Sequence, residues 1–198
     1  MAQTALSSHE VPKLPRGLKS PVHPEKGWNR LGKGTWFHGR PETDVYKLLI
    51  DAYRLRMDDR WDIAKAKEPG SLYVSGATDG KEGFRIFLDK AENTKSEEGK
   101  PILPTWWNAE KRKECEALGA DTTQWTSLAT KVKKWDIHIH YDDMALAMQL
   151  RCVAEMVYDL LPDGRRIAKI PDDLFERDSD NEFNEFDSDS DEWYTDSD

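Results

Sequence analysis

Charge divides this sequence before hydrophobicity does. Of the last 28 residues, 171–198, 13 are acidic and one, Arg177, is basic, a net of −12. Residues 1–40 run the other way, with seven basic residues against Glu10 and Glu25, a net of +5. The whole chain of 198 residues carries −9, so residues 41–170 are left nearly neutral at −2. A like-charge run as dense as 171–198 repels itself and has too little apolar surface to offset chain entropy, so it is predicted to be disordered. The first 35 residues are rich in Pro, Gly, Ser and Lys, show no sustained period, and read as an extended or disordered basic arm. A folded core therefore has to come from 36–170.

That stretch is patterned as helix. After Pro41, suited to a first helical turn, Val45, Leu48, Leu49, Ala52 and Leu55 follow i, i+3, i+4, i+7 spacing, predicting a helix from Glu42 to Asp59 or somewhat beyond. Asp79 with Glu82 three residues on resembles a capping box, opening a helix with Phe84, Phe87, Leu88 and Ala91 on one face. Asn108 is a suitable N-cap for a helix holding Cys115 and Leu118 and ended by Gly119. Asp121 or Thr122 is predicted to start a fourth, carrying Trp125, Leu128 and Val132. The last and longest candidate runs from Asp142 to Leu161, with Leu146, Leu150, Val153, Val157, Leu160 and Leu161 as its stripe.

This last helix has a second line, Met144, Met148, Cys152 and Met156, at i+4 spacing. Two apolar lines fit a central helix packed on both sides; the alternative is a soft surface for a partner helix. Segment 134–141 is ambiguous, because Trp135, Ile137, Ile139 and Tyr141 alternate with polar residues as in a strand. The expected fold is thus all-α: a compact bundle of about five short helices over 36–170, between a disordered basic arm (1–35) and a disordered acidic tail (171–198).

Two cysteines, Cys115 and Cys152, support neither a disulfide framework nor a four-thiolate zinc site. No apolar run nears the ~18 residues of a membrane helix, and the first residues lack the apolar segment of a signal peptide. A soluble protein of the cytoplasm or nucleus is expected, with no membrane partner.

Few residues suggest chemistry. His138-Ile-His140-Tyr-Asp142-Asp143 resembles the H-x-H-x-D-H run of the metallo-β-lactamase fold, but Asp143 stands in place of the final His and no histidine follows. A metal-dependent enzyme using His138, His140 and Asp142 is the one catalytic alternative. Gly76 to Glu82 falls one residue short of phosphate-loop spacing and carries Glu82 in place of the Ser/Thr that would hold magnesium. Lys111, Arg112 and Lys113 flank Cys115 and would lower an exposed thiol's pKa, whereas a buried cysteine on a helix would be inert. Asp58-Asp59 reads as a solvated pair. No motif supports catalysis or a cofactor, so neither is expected.

The most specific local feature is Trp106-Trp107 after Pro104. Two adjacent large rings cannot easily share one core face, so one would bury while the other covers a groove or stays partly exposed, unless both serve as packing under the polar loop 92–101, the plainer reading. An exposed Trp there would be an interface anchor.

Two longer strings carry a resemblance. Residues 36–56 (WFHGRPETDVYKLLIDAYRLR) and 103–119 (LPTWWNAEKRKECEALG), with Met148-Gln149-Leu150-Arg151 behind them, resemble a conserved region of filamentous-fungal MYND-type zinc-finger proteins. The likeness spans about 36–161. A MYND finger needs seven cysteines and a histidine, so the finger is missing here and zinc binding does not carry over. The resemblance implies a fungal adaptor-like protein rather than an enzyme.

In the tail, Phe183, Phe186, Trp193 and Tyr194 punctuate the acid run, together with Phe175. Such a composition suits capture by a basic, partly apolar partner, for example a ribosomal protein or histone; the alternative is plain solubilisation. Ser179 and Ser188, each with an acid three residues on, suit an acidophilic kinase. Nucleic acid is not an expected partner, because seven cations spread among prolines compete with −12. The leading expectation is a non-enzymatic protein-interaction module acting through this tail, and the alternative is binding through the body at Trp106 and Trp107.

Overall fold

The computed structural model describes residues 14–21 and 24–166. All belong to one unit; the expected acidic tail lies outside the described residues. Those residues form an all-α bundle of six helices: α1 (Pro24–Gly32), α2 (Glu42–Ala64), α3 (Lys81–Asn93), α4 (Ala109–Ala120), α5 (Lys134–Tyr141) and α6 (Met144–Tyr158). None is long and apolar enough to cross a membrane.

Helix α2 is the axis. Its 23 residues span ~35 Å and pack against α3, α4 and α6, so most of its surface between Asp44 and Asp59 is covered. Val45, Leu48, Leu49, Ile50, Ala52 and Leu55 have no exposed surface. Each large apolar side chain buried in this way stabilises the fold by about 1.5–3 kcal/mol relative to leaving it in water. Lys65, left-handed at φ 52°, ends the helix while its N–H reaches the Trp61 carbonyl. The leading stripe of α6, Leu146, Leu150, Val153 and Val157, faces this core, as its spacing predicts. Of the second line, Cys152 and Met156 pack on the core, Met148 is half-buried and Met144 is exposed.

The chain enters the fold earlier than its prolines suggest. Asp44, buried in the first turn of α2, accepts hydrogen bonds from Lys19 N (2.8 Å), Ser20 N (2.7 Å) and Ser20 Oγ (2.8 Å). Arg40 completes the clasp, donating to the Trp36 carbonyl (2.8 Å) and to Ser20 Oγ (3.1 Å) while lying over the Trp36 ring. Its burial and the nearby Arg30 pull its pKa down to about 10. Helix α1 then packs on α6 at a close approach: a Cβ on Gly27 would sit 2.5 Å from Gln149 Nε2. The expected arm over 1–35 is therefore folded from residue 14 to 21 and from 24 onward, held by tertiary contacts that no local period announces.

Two further expectations are corrected and one open reading is resolved. Residues 121–133 are turns, not a helix, because Asp121 Oδ1 accepts from Thr123 N (2.9 Å) and Thr123 Oγ1 (2.7 Å), closing a local turn that competes with helix. The strand-like 134–141 is helix α5. The capping box at Asp79 does not form: Gly80 is the N-cap of α3, and Asp79 Oδ1 instead accepts from Lys81 N at 3.1 Å. By contrast Asn108 caps α4, accepting from Glu110 N (2.9 Å) and Lys111 N (3.1 Å). Gly119 lies one residue inside the end of α4. A Cβ there would stand 2.8 Å from Leu128 Cδ1, so the glycine lets the 121–133 turns close over the core. Helix α6 is shorter than the expected 142–161, starting after the Asp143 cap and stopping at Asp159, left-handed at φ 54°.

Candidate functional site

Trp106 and Trp107 stand on a turn closed by Trp107 N donating to the Pro104 carbonyl (3.0 Å), just before the Asn108 cap. Both rings meet Tyr46 edge-on, with centroids 6.2 and 6.1 Å away. Trp107 Nε1 donates to Glu92 Oε1 at 3.0 Å, and the Tyr46 hydroxyl donates to Glu114 Oε2 at 2.9 Å. The adjacent rings thus share one platform: both are half-buried at the margin of the core.

His138, His140 and Asp142 do not assemble. Helical geometry sets residues two apart ~200° around the axis, so the two imidazoles diverge. His140 stacks flat on Trp125, at 3.9 Å and 5° between planes, while His138 leans on Trp135 at 4.8 Å. Asp142 is the left-handed residue that ends α5. Among the described residues no three His, Cys, Asp or Glu side chains converge as metal ligands.

The cysteines are placed where burial controls them. Cys115 is fully buried, its Sγ directed at the Tyr46 carbonyl (3.9 Å), and burial raises its thiol pKa. Burial likewise pushes Cys152 up to about 11. The cations beside Cys115 point outward: Lys111 pairs with Glu42 (2.9 Å), and Arg112 with Asp89 (2.6 Å), Glu92 and Glu116 (each 3.0 Å).

Sequence reasoning missed the main polar cluster, which surrounds Asp51. One carboxylate oxygen, Oδ2, accepts from the Tyr141 hydroxyl (2.6 Å) and Trp125 Nε1 (3.0 Å). The other, Oδ1, accepts from Arg54 Nε (3.0 Å) and Nη2 (2.5 Å). Arg54 Nη1 then donates to the Trp125 and Ser127 carbonyls (2.8 and 3.2 Å), and its guanidinium lies over the Trp125 ring. This cluster ties α2 to the 121–133 turns and to α5. Every partner is a protein group, and Asp51 has no exposed surface, so the carboxylate reads as a structural tie rather than an acid or base for substrate. A carboxylate and a guanidinium three residues apart inside an apolar stripe was the available signal.

Asp58 and Asp59 are not a fully solvated pair either. Asp59 is buried and forked by Arg151 (2.7 and 2.6 Å), which joins α2 to α6. Asp58 accepts from the Tyr73 hydroxyl (2.5 Å), and burial raises its pKa.

Two surface features remain. On α5, Trp135 and Ile139 are 61% and 55% exposed, one helical turn apart. Between α3 and α4 lies a groove of about 260 Å³ with Phe84 and Leu128 in its floor and Lys81, Arg85 and Lys113 around it. The tail residues Phe183, Phe186, Trp193, Tyr194, Ser179 and Ser188 fall outside the described residues. Compared with known proteins, the chain matches no family model, no curated protein and no solved structure.

Proposed function

We propose that this chain is a non-enzymatic protein-interaction module whose acidic, ring-bearing C-terminal run engages a basic protein partner in the cytoplasm or nucleus. The observation that carries it is the segregation of charge, −12 within 171–198 with Phe183, Phe186, Trp193 and Tyr194 spaced among the acids. A basic partner surface gains from the carboxylates at long range and from the rings at contact. The likeness of 36–161 to the region that accompanies fungal MYND fingers leans the same way, toward adaptors.

The body's geometry supports this division of labour. Its reactive groups are engaged in packing: His140 against Trp125, Cys115 beneath Tyr46, Asp51 by Arg54, Trp125 and Tyr141. The rival anchors Trp106 and Trp107 lean on Tyr46, and Trp107 is further held by Glu92.

Affinity capture from cells, with the full chain beside a 1–170 truncation, tests the reading. The truncation is expected to lose basic partners and keep few others. Identical partner sets would overturn it.

A further inference from the structure

We propose that the groove between α3 and α4 is a second binding site, taking one aromatic side chain from an acidic segment of a partner protein. The proposal stands apart from the tail, because it concerns the opposite polarity on the folded body.

The groove's size comes first. About 260 Å³ lies below the ~300–1,000 Å³ typical of small-molecule sites, and suits a single ring rather than a cofactor. Core lies directly beneath it: Phe84 has no exposed surface and Leu128 only 2%, so the apolar surface open to a ring comes from the walls, Ala117, Ala120 and the stems of the rim cations, held in place by the packing below. Its α4 wall is built from Ala117 and Ala120, one turn apart, whose short side chains leave the space open.

Charge decides the rest. Lys113 lies exposed on the rim and, among the described residues, has no ion pair or hydrogen bond. Lys81 pairs with Asp79 (2.9 Å) and Arg85 with Glu116 (3.2 Å). The Arg85 side chain is 58% exposed, so an incoming carboxylate can share that guanidinium at low cost. With Lys81 held by Asp79 and Arg85 by Glu116, the rim keeps one unpaired cation, Lys113, beside the exposed Arg85 guanidinium, and this local excess of positive charge complements an anionic segment with a ring in its middle. A nucleic-acid strand fits less well: it needs a cationic track with successive stacking platforms, whereas this groove admits one ring.

The test is fluorescence anisotropy at low ionic strength, where exposed charges act furthest. Full-length protein is titrated into the labelled peptide Asp-Glu-Asp-Phe-Glu-Asp-Glu and into its Phe-to-Ala version. The same titrations use a full-length background with Phe183→Ser, Phe186→Ser, Trp193→Ser and Tyr194→Ser, so that the chain's own ring-bearing acids supply no competitor. Saturable binding in either background, weakened about tenfold or more when the peptide loses its ring, is expected. Ala117→Trp, which fills the groove from an exposed position, should weaken binding to a similar degree. Lys113→Glu should weaken it roughly three- to fivefold, as one exposed charge contact would. Thermal unfolding of both variants checks that the fold stands; should Ala117→Trp fail there, Lys113→Glu and the peptide pair still decide. No binding in either background, equal affinity for the ring-less peptide, or indifference to both substitutions would overturn the proposal.

Discussion

Helix α2 buries Asp44, Asp51, Arg54, Arg56 and Asp59, whereas α5 leaves Trp135 and Ile139 more than half exposed. Residue type alone would have assigned these the other way. The difference comes from position. From Asp44 to Asp59 the helix lies at the centre of the bundle with neighbours on most sides, so charges along that stretch are mostly enclosed, whereas Asp62 and Ile63 at its end are exposed. Each buried charge meets at least one partner: Arg54 for Asp51, Arg151 for Asp59, the backbone N–H groups of Lys19 and Ser20 for Asp44 and the Leu161 carbonyl for Arg56. The eight residues of α5 dock by one face only, through Ile137 and Tyr141, and its other apolar pair is left over. Buried charge here marks structure, and exposed apolar surface marks what structure does not use.

The sharpest way to break this comparison is Asp51→Asn. The guanidinium of Arg54, 4% exposed, would keep its carbonyl contacts but lose its counter-charge. Removing one partner of a buried pair costs about 3–5 kcal/mol, so urea unfolding should show a large loss of stability with the helical spectrum retained at low denaturant. A change below about 1 kcal/mol would mean that the pair is not a structural tie.

Protonation sharpens it further. Burial lowers the pKa of His140 below its ordinary 6.5, so the unfolded chain takes up the proton first. Stability is therefore lost as pH falls from about 6.5 toward the folded value. Burial raises Asp58 and Glu155, which act with the opposite sign: as pH falls through their raised values, their penalty is relieved. The comparison with His140→Phe, which keeps a ring against Trp125 and cannot titrate, isolates the histidine. The variant should lose less stability than the native chain between pH 7 and 5. Parallel stability curves would show that protonation of His140 does not oppose folding.

The smallest expected effect is on α5. Trp135→Ser with Ile139→Ser should leave stability within about 0.5 kcal/mol, because both side chains are mostly in water already. A loss of 2 kcal/mol or more, on the scale of core truncations, would place these side chains in the core after all.

How much of this was legible depends on whether a signal is local. The Asn108 cap and the α2 stripe require only neighbours in sequence, and both appear as read. The α5 pattern was ambiguous for a definite reason. Residues 135 and 139 share one helix face and 137 and 141 the opposite one, so a helix apolar on two faces alternates over seven residues as a strand does. Helix α1 was hidden because its place rests on remote groups: Trp36 Nε1 donates to Gln149 Oε1 at 2.8 Å, and Gly27 faces the same glutamine. The Asp51 cluster joins residues up to 90 apart, a separation that no periodicity reports. The groove depends on two alanines that, read alone, are only good helix formers.

The central claim is that polar and aromatic groups inside the body hold the fold while recognition of a basic partner rests on the acidic end. It is tested most directly by titrating a purified, highly basic protein into the full chain and into the variant with Phe183, Phe186, Trp193 and Tyr194 changed to Ser. The predicted result is salt-sensitive binding by the full chain, weakened about fivefold or more in the variant, with the same thermal midpoint for both. Equal affinity of the two chains, or no binding by either at low salt, would contradict the account.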